Sequence, residues 1–529
     1  MSVLVEKARN KQFTPGLKDG RAIVGLLKEA DKDDAAHLVR ALIRMGEPAL
    51  RLCLEASRVT EGVERARLLE VVGKLAKSTD AEARDALIGA LLDPTPRVVK
   101  VAARSLGRLG ALGAIDAASK PVVEKALLAA KGRASAQDLK ETVIEALGKV
   151  GGKAALDVIA TEGESRVTTR AKVMLVRELG RDEESSIDAT QKASAPIDVR
   201  FHCREGLEKI VLEQLGGHFR AKRIDTGFVD ARLEDVLSSV FVARAFTHVT
   251  FPVCDRALGA DEVVSEAVAR EITSARSRSV LAAFTRGRVR YRIEWKAGGH
   301  RRREVFDTAA RVAAIDPALV NDPTRSTWEV GVLDRGGRLR VELRPKALVD
   351  PRFAYRVAEV PAASHPTIAA AIVHVGGARA HDVVWDPFVG SGLELVERAR
   401  SGPYERMFGT DTSPAAITAA KENLASASVE KVTLDKTDAL AARIPGVTLI
   451  ITNPPMGRRI TRGESLDRLL VPFVTHAART LVTGGRMAWI TPSPRDTDRA
   501  AERAKLEIAQ ASTVDMGGFP GVLQLLIKR

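Results

Sequence analysis

Cysteine is nearly absent: the chain has three, Cys53, Cys203 and Cys254, far apart and without a CxxC pair. That excludes a disulfide framework and an ordinary zinc site, so the expectation is a reducing, cytoplasmic setting and no metal. The opening stretch 1–20 carries lysines and a proline but no apolar core, and does not read as a secretory signal. No uninterrupted apolar run approaches membrane-spanning length. Acidic residues are outnumbered, 68 against 82 basic ones, leaving a formal net charge of +14. A chain this basic points to a polyanion, nucleic acid first. With 529 residues, 45% of them hydrophobic, it is long enough for about three cores.

What is present changes character along the chain. From Ala22 to Leu179, Ala, Leu, Val, Arg and Glu dominate and aromatics are rare. Apolar residues recur at three and four, as in Val98, Val101, Ala102, Leu106 and Leu109, which makes amphipathic helices. Related fragments return: Leu42-Ile-Arg-Met-Gly46, Val71-Val-Gly-Lys-Leu75, Leu106-Gly-Arg-Leu-Gly110 and Leu147-Gly-Lys-Val-Gly151. Their separations suit paired-helix repeats. In the clearest unit, a helix Ala83–Leu92 is broken by Asp93-Pro-Thr-Pro96 before a second helix from Arg97 to Leu109. This unit resembles a HEAT repeat, and residues 1–182 are expected to form such an array, a surface for a protein or RNA partner. Residues 183–196, polar and small, read as a linker.

After Pro196 short alternating runs appear. Val199, Phe201 and Cys203 mark a half-buried strand, Glu205–Leu215 a helix, Gly227–Ala231 and Ala245–Val253 further strands around a helix Leu233–Val242. A second α+β unit is expected from Asp261 to Asp350. In its strand Arg288–Lys296, Val289, Tyr291, Ile293 and Trp295 share one face; Arg288, Arg290, Arg292 and Lys296 share the other. The expectation is a cationic face for a phosphate backbone, extended by the turn residues Arg301, Arg302 and Arg303. The elements of 197–350, with Phe201-His-Cys-Arg-Glu-Gly-Leu-Glu208 at their head, resemble the ferredoxin-like plus THUMP region that captures tRNA or rRNA in certain RNA methyltransferases.

The last third reads as alternating strands and helices. Val383-Val-Trp-Asp386 runs into the small loop Pro387-Phe-Val-Gly-Ser-Gly392, and Met407-Phe-Gly-Thr-Asp411 follows as a second strand ending in a carboxylate. There is no Gly-Lys-Ser/Thr phosphate loop and no G-x-G-x-x-G fingerprint, which argues against nucleoside triphosphates and dinucleotides. A third strand leads to Asp438. The continuous apolar run Val447–Thr452 then stops at Asn453-Pro454-Pro455-Met456-Gly457-Arg458-Arg459, because proline cannot donate to a ladder. Asp386, Asp411, Asp438 and Asn453 thus come to the carboxyl edge of one parallel sheet, where such sheets hold ligands.

This set resembles the Rossmann-like class I S-adenosylmethionine methyltransferases that methylate amino groups, over 351–529. The resemblance implies that Asp386, Gly390 and Gly392 hold the methionine portion of S-adenosylmethionine, with Phe388 also at the cofactor. It further implies Asp411 at the ribose, Asp438 at the adenine and His365 across the cofactor. Asn453, Pro454, Pro455 and Met456 would present the amine, with Arg458 and Arg459 beside RNA. Adenine-N6 and glutamine-N5 enzymes usually carry Tyr or Phe where this chain has Met456, so guanine N2 in tRNA or rRNA is the expected target. Adenine-N6 methylation of RNA or DNA and an inactive RNA-binding scaffold are the alternatives. The expected fold is multidomain: HEAT-like solenoid, ferredoxin-like/THUMP-like region, Rossmann-like methyltransferase domain.

Overall fold

The computed structural model describes residues 3–180, 183–299, 301–361, 364–456 and 467–529. Helices alone fill the chain from Val3 to Leu179. Gly62–Leu75, Pro96–Ala111, Gln137–Val150 and Arg166–Leu179 stack side by side, and each also packs against the helix preceding it. The recurring glycines explain the spacing. A Cβ on Gly73 would lie 1.9 Å from Ser105 Oγ, one on Gly107 3.0 Å from Ala146 Cα, and one on Gly148 2.8 Å from Ala171 Cα. The repeated Gly is therefore where neighbouring helices touch backbone to backbone. The Asp-Pro break works as expected: Asp93 accepts from the Thr95 amide at 2.8 Å and from Arg65 Nη1 of the preceding pair at 2.7 Å.

The stretch expected as a linker is partly structured. Ser185–Ile187 pairs antiparallel with Thr285–Gly287, and the buried Arg290 reaches back to the Gly180 and Glu183 carbonyls. The two α+β units share one eight-stranded sheet instead of standing apart. Its hub is the long strand Phe246–Ala257, antiparallel to Ile197–Cys203 on one side and Arg338–Arg344 on the other. The expected helix Leu233–Val242 is a shorter 3-10 turn, Leu237–Val242.

The C-terminal sheet has seven strands in the order Val432–Lys436, Arg406–Asp411, Val383–Asp386, Val447–Thr452, Leu481–Thr491, Pro520–Lys528, Leu506–Asp515. The first five are parallel; the last two form an antiparallel finish. The order reverses between the Asp386 strand and the Asn453 strand, which makes a switch point with a crevice beyond the strand ends. The fold is thus helical array, mixed sheet, Rossmann-like sheet. One hydrophobic cluster runs from Phe201 and Trp328 of the central sheet to Val384 and Leu449 of the C-terminal one, while the helical array has its own. Arg244 pairs with buried Glu397 at 2.5 Å, and Arg352 lies 3.6 Å over the Phe246 ring while donating to its carbonyl at 3.0 Å. Gly206, at φ +92°, lets its loop press on Thr513 so closely that a Cβ would stand 1.9 Å from the carbonyl oxygen. Among the described residues, no helix is long and apolar enough to cross a membrane.

The stacking glycines yield a direct prediction. Gly148→Val forces two helix backbones apart and lowers the unfolding free energy of the array by about 1–3 kcal/mol in urea denaturation. Gly132→Ala, with nothing within 4 Å of its new Cβ, leaves it unchanged or slightly raised.

Candidate active site at the sheet switch point

Asp386 ends its strand fully buried. Its Oδ1 accepts from the Thr452 hydroxyl at 2.7 Å and from the Phe388 amide at 3.1 Å; Oδ2 is buried with no partner among the described residues. Burial, reinforced by the charges of Glu394 and Asp411, pushes its proton affinity well above the usual carboxylate range. Gly390 and Gly392 follow at φ +49° and +80°, and Gly392 caps the helix Leu393–Arg400. The Gly390 amide donates to Asp411 Oδ2 at 3.1 Å, joining the loop to the next strand end. The second oxygen, Oδ1, takes the Ser413 amide at 2.9 Å.

Across the switch point, Asn453 Nδ2 donates to Ser364 Oγ at 3.0 Å, and Ser364 donates to Glu394 Oε1. Asn453 Oδ1 is buried with no partner among the described residues. Pro454 is buried, Pro455 exposed, and Met456 half-buried against the core. Two acceptor oxygens without donors, Asp386 Oδ2 and Asn453 Oδ1, thus lie at adjoining strand ends around a glycine loop. Buried polar atoms are rarely left so. The arrangement fits a ligand that brings hydrogen-bond donors and positive charge, as the ammonium and sulfonium groups of S-adenosylmethionine would.

Other expected residues stand differently. His365 is exposed, and its Nδ1 accepts from the Thr367 amide at 3.3 Å, capping the helix Pro366–Gly376. The Phe388 ring is half-buried, edge-on to Phe473 at 5.1 Å between centroids. Asp438 is exposed and accepts from the Leu440 amide at 2.7 Å. The expected cationic face needs correction. Arg288 pairs with Glu183 at 3.0 Å, Arg292 bonds Glu329 and Glu294, and Arg301 bonds Asp334 at 2.8 Å. Arg290 is buried on carbonyls, so these side chains are structural struts more than free charge. Arg302 and Arg303 are exposed, Arg303 with Asp307 at 3.7 Å. Arg458 and Arg459 lie outside the described residues.

Four site residues escaped the sequence reading. No motif or spacing marks Thr452, Ser364 or Glu394 in the sequence. Asn423, buried in the helix Pro414–Ser426, accepts from Val357 and Ala358 amides at 2.8 and 2.9 Å and donates to Ser391 O at 2.8 Å. It ties the segment before Ser364 to the glycine loop. Only an amide inside an otherwise apolar helix face hinted at it. Among the described residues, no three His, Cys, Asp or Glu side chains converge as metal ligands would.

Comparison with known proteins bears on this region. Residues 354–520 match a family model described as RMKL-like, methyltransferase domain. The tRNA (guanine(6)-N2)-methyltransferase of Thermus thermophilus is 32% identical over 164 residues, 30% of this chain and 49% of that protein. The tRNA (guanine(10)-N2)-dimethyltransferase of Methanothermobacter thermautotrophicus is 28% identical over 188 residues, 35% of this chain and 52% of that protein. The chain spans about half the length of these curated relatives. The crystal structure of TrmN from Thermus thermophilus shares the fold, with TM-score 0.52 and 22% identity over 63% of this chain and 100% of that one.

Burial pushes the Glu394 carboxyl up to about 7 from an ordinary 4.5, with Glu397 adding repulsion. The folded protein therefore holds this proton more tightly than the unfolded chain. The resulting stabilisation is full below pH 4.5 and is lost as pH rises through about 7. Glu394→Gln, neutral throughout, removes that decline: between pH 5 and pH 8 the loss of unfolding free energy shrinks by roughly 2–3 kcal/mol in urea titrations.

Proposed function

We propose that the chain is an S-adenosylmethionine-dependent RNA methyltransferase acting on an exocyclic amino nitrogen, guanine N2 first, in tRNA or rRNA of the cytoplasm. The observation that carries the reading is that Asn453 Oδ1 and Asp386 Oδ2, at adjoining strand ends, are both buried with no partner among the described residues. The RMKL-like match over 354–520 and the guanine-N2 relatives support it.

The cofactor, when bound, supplies an electrophilic methyl group on a positively charged sulfur. Asp386 and the Gly390–Gly392 loop would hold its amino-acid end, Asp411 its ribose and Asp438 its adenine, with Phe388 at the cofactor and His365 across it. The chain's own work is orientation. The amine of a base is flattened by conjugation, so its lone pair is poorly directed. Asn453 Oδ1 and the Pro454 carbonyl accept its two N–H groups and turn the nitrogen toward the methyl. Pro455 fixes that carbonyl's direction, and Met456 packs on the base without the stacking an aromatic would give. No strong base is required, since the nitrogen sheds a proton after it has gained the methyl. The exposed Arg302 and Arg303, and Arg458 and Arg459, would face RNA. The helical array, HEAT-like in its paired helices, would dock a further stretch of RNA or a protein partner.

Incubation with labelled cofactor and total RNA, followed by nucleoside mass spectrometry, tests the reading. N2-methylguanosine is the expected product. Asn453→Ala lowers its rate by about 10²- to 10³-fold while cofactor affinity stays within threefold. Label found only in N6-methyladenosine would move the target to adenine; cofactor binding without any transfer would leave a scaffold.

A further inference from the structure

Resting on that reading, we propose that Ser364 and Glu394 form an orientation lock that decides which end of the Asn453 amide faces the substrate. An asparagine side chain is nearly symmetric in shape, and its two ends differ only in hydrogen-bond sense. Held one way, Asn453 offers Oδ1 to the substrate amine; turned over, it offers an N–H that would repel it. The backbone cannot choose between the two. The neighbour on the far side of the amide must.

That neighbour is Ser364 Oγ, 3.0 Å from Asn453 Nδ2. A hydroxyl alone does not discriminate, because it can donate to an amide oxygen or accept from an amide nitrogen. Glu394 removes the ambiguity. Its Oε1 takes the Ser364 proton, and it is buried on the helix that follows the glycine loop, where the serine is its partner. An ionised carboxylate can only accept, so the serine's single proton is committed to it. Ser364 then has only lone pairs for Asn453, and the amide must present Nδ2 to the serine and Oδ1 to the crevice. The buried Oδ1, without a partner among the described residues, is the outcome of this chain of constraints. Around Glu394 stand Ser364 from the segment before the helix Pro366–Gly376, Asp386 from the strand end and Glu397 from its own helix. Ser364 is a positioning residue; it acts through Asn453.

The test runs at pH 8 on full-length protein with RNA and labelled cofactor, with cofactor affinity from calorimetry as the check on folding. Ser364→Ala is expected to lower kcat by about 10-fold or more, with RNA KM and cofactor Kd within threefold of wild type. Ser364→Thr, which keeps the hydroxyl, recovers most of the rate. Glu394→Gln, whose amide can donate to Ser364, falls between. On the Asn453→Ala background, Ser364→Ala has no further effect, because the group it orients is gone. Wild-type kcat in Ser364→Ala, a loss that persists on the Asn453→Ala background, or a threonine variant as slow as the alanine one overturns the lock. A wild-type protein that transfers no methyl to any RNA overturns the underlying reading instead.

Discussion

Everything at the crevice depends on leaving a carboxylate buried and only half satisfied. Asp386 sits at one end of a four-residue strand; Asp382 immediately precedes the other end. Both are fully buried, yet their proton affinities move in opposite directions. At Asp382, burial alone would raise it, but hydrogen bonds from Arg486 and Arg398 outweigh that and hold the group ionised. At Asp386 burial and the charges of Glu394 and Asp411 outweigh the hydrogen bonds from Thr452 and Phe388, and one oxygen has no donor among the described residues. A buried acid with this imbalance is unfavourable by itself, and a cationic ligand relieves it. The strand thus carries an internal contrast: a closed, permanently neutralised end that anchors the sheet, and an open end that waits for charge.

Much of this could be read from residue types and spacing. Strand Val447–Thr452 appears with the limits its apolar run and two prolines dictate, since buried parallel strands and proline stops are local properties. Asp386, Gly390, Asp411 and Asn453 converge because alternating strands and helices in a parallel sheet bring successive strand ends to one edge. The paired helices were legible for the same reason: their glycine fragments mark contact points that recur with the repeat. What failed to show was pairing across long separations. Nothing near Arg290 announces that its guanidinium will be consumed by carbonyls at 180 and 183, and nothing near Glu329 announces Arg292. Alternation identifies which side chains share a face; it does not say whether that face meets solvent. Ser364 and Glu394 were invisible for a related reason, being polar residues whose meaning lies in a partner 30 positions away.

The cationic strand also shows why net charge is a property of surfaces and not of segments. The basic excess of the chain is distributed, and several of its arginines are ones the fold spends on holding its parts together. Arg244, Arg290 and Arg352 each cross from one element to another, satisfying carbonyls or a buried glutamate. Arginine suits this role because one planar group can serve several acceptors at once.

Gly206 carries a wider implication. Its loop touches Thr513 with no room for even a methyl group, and the central sheet and the C-terminal sheet bury their apolar faces in one continuous cluster. Two modules fused in this way cannot swing against each other as beads on a string do. Any polymer gripped by the first module presents to the second only what lies at one set distance along its path. Selection among ligands long enough to span both modules would then be partly a matter of reach: a group too near the first module, or too far from it, would be refused by length alone, before its chemistry is ever read.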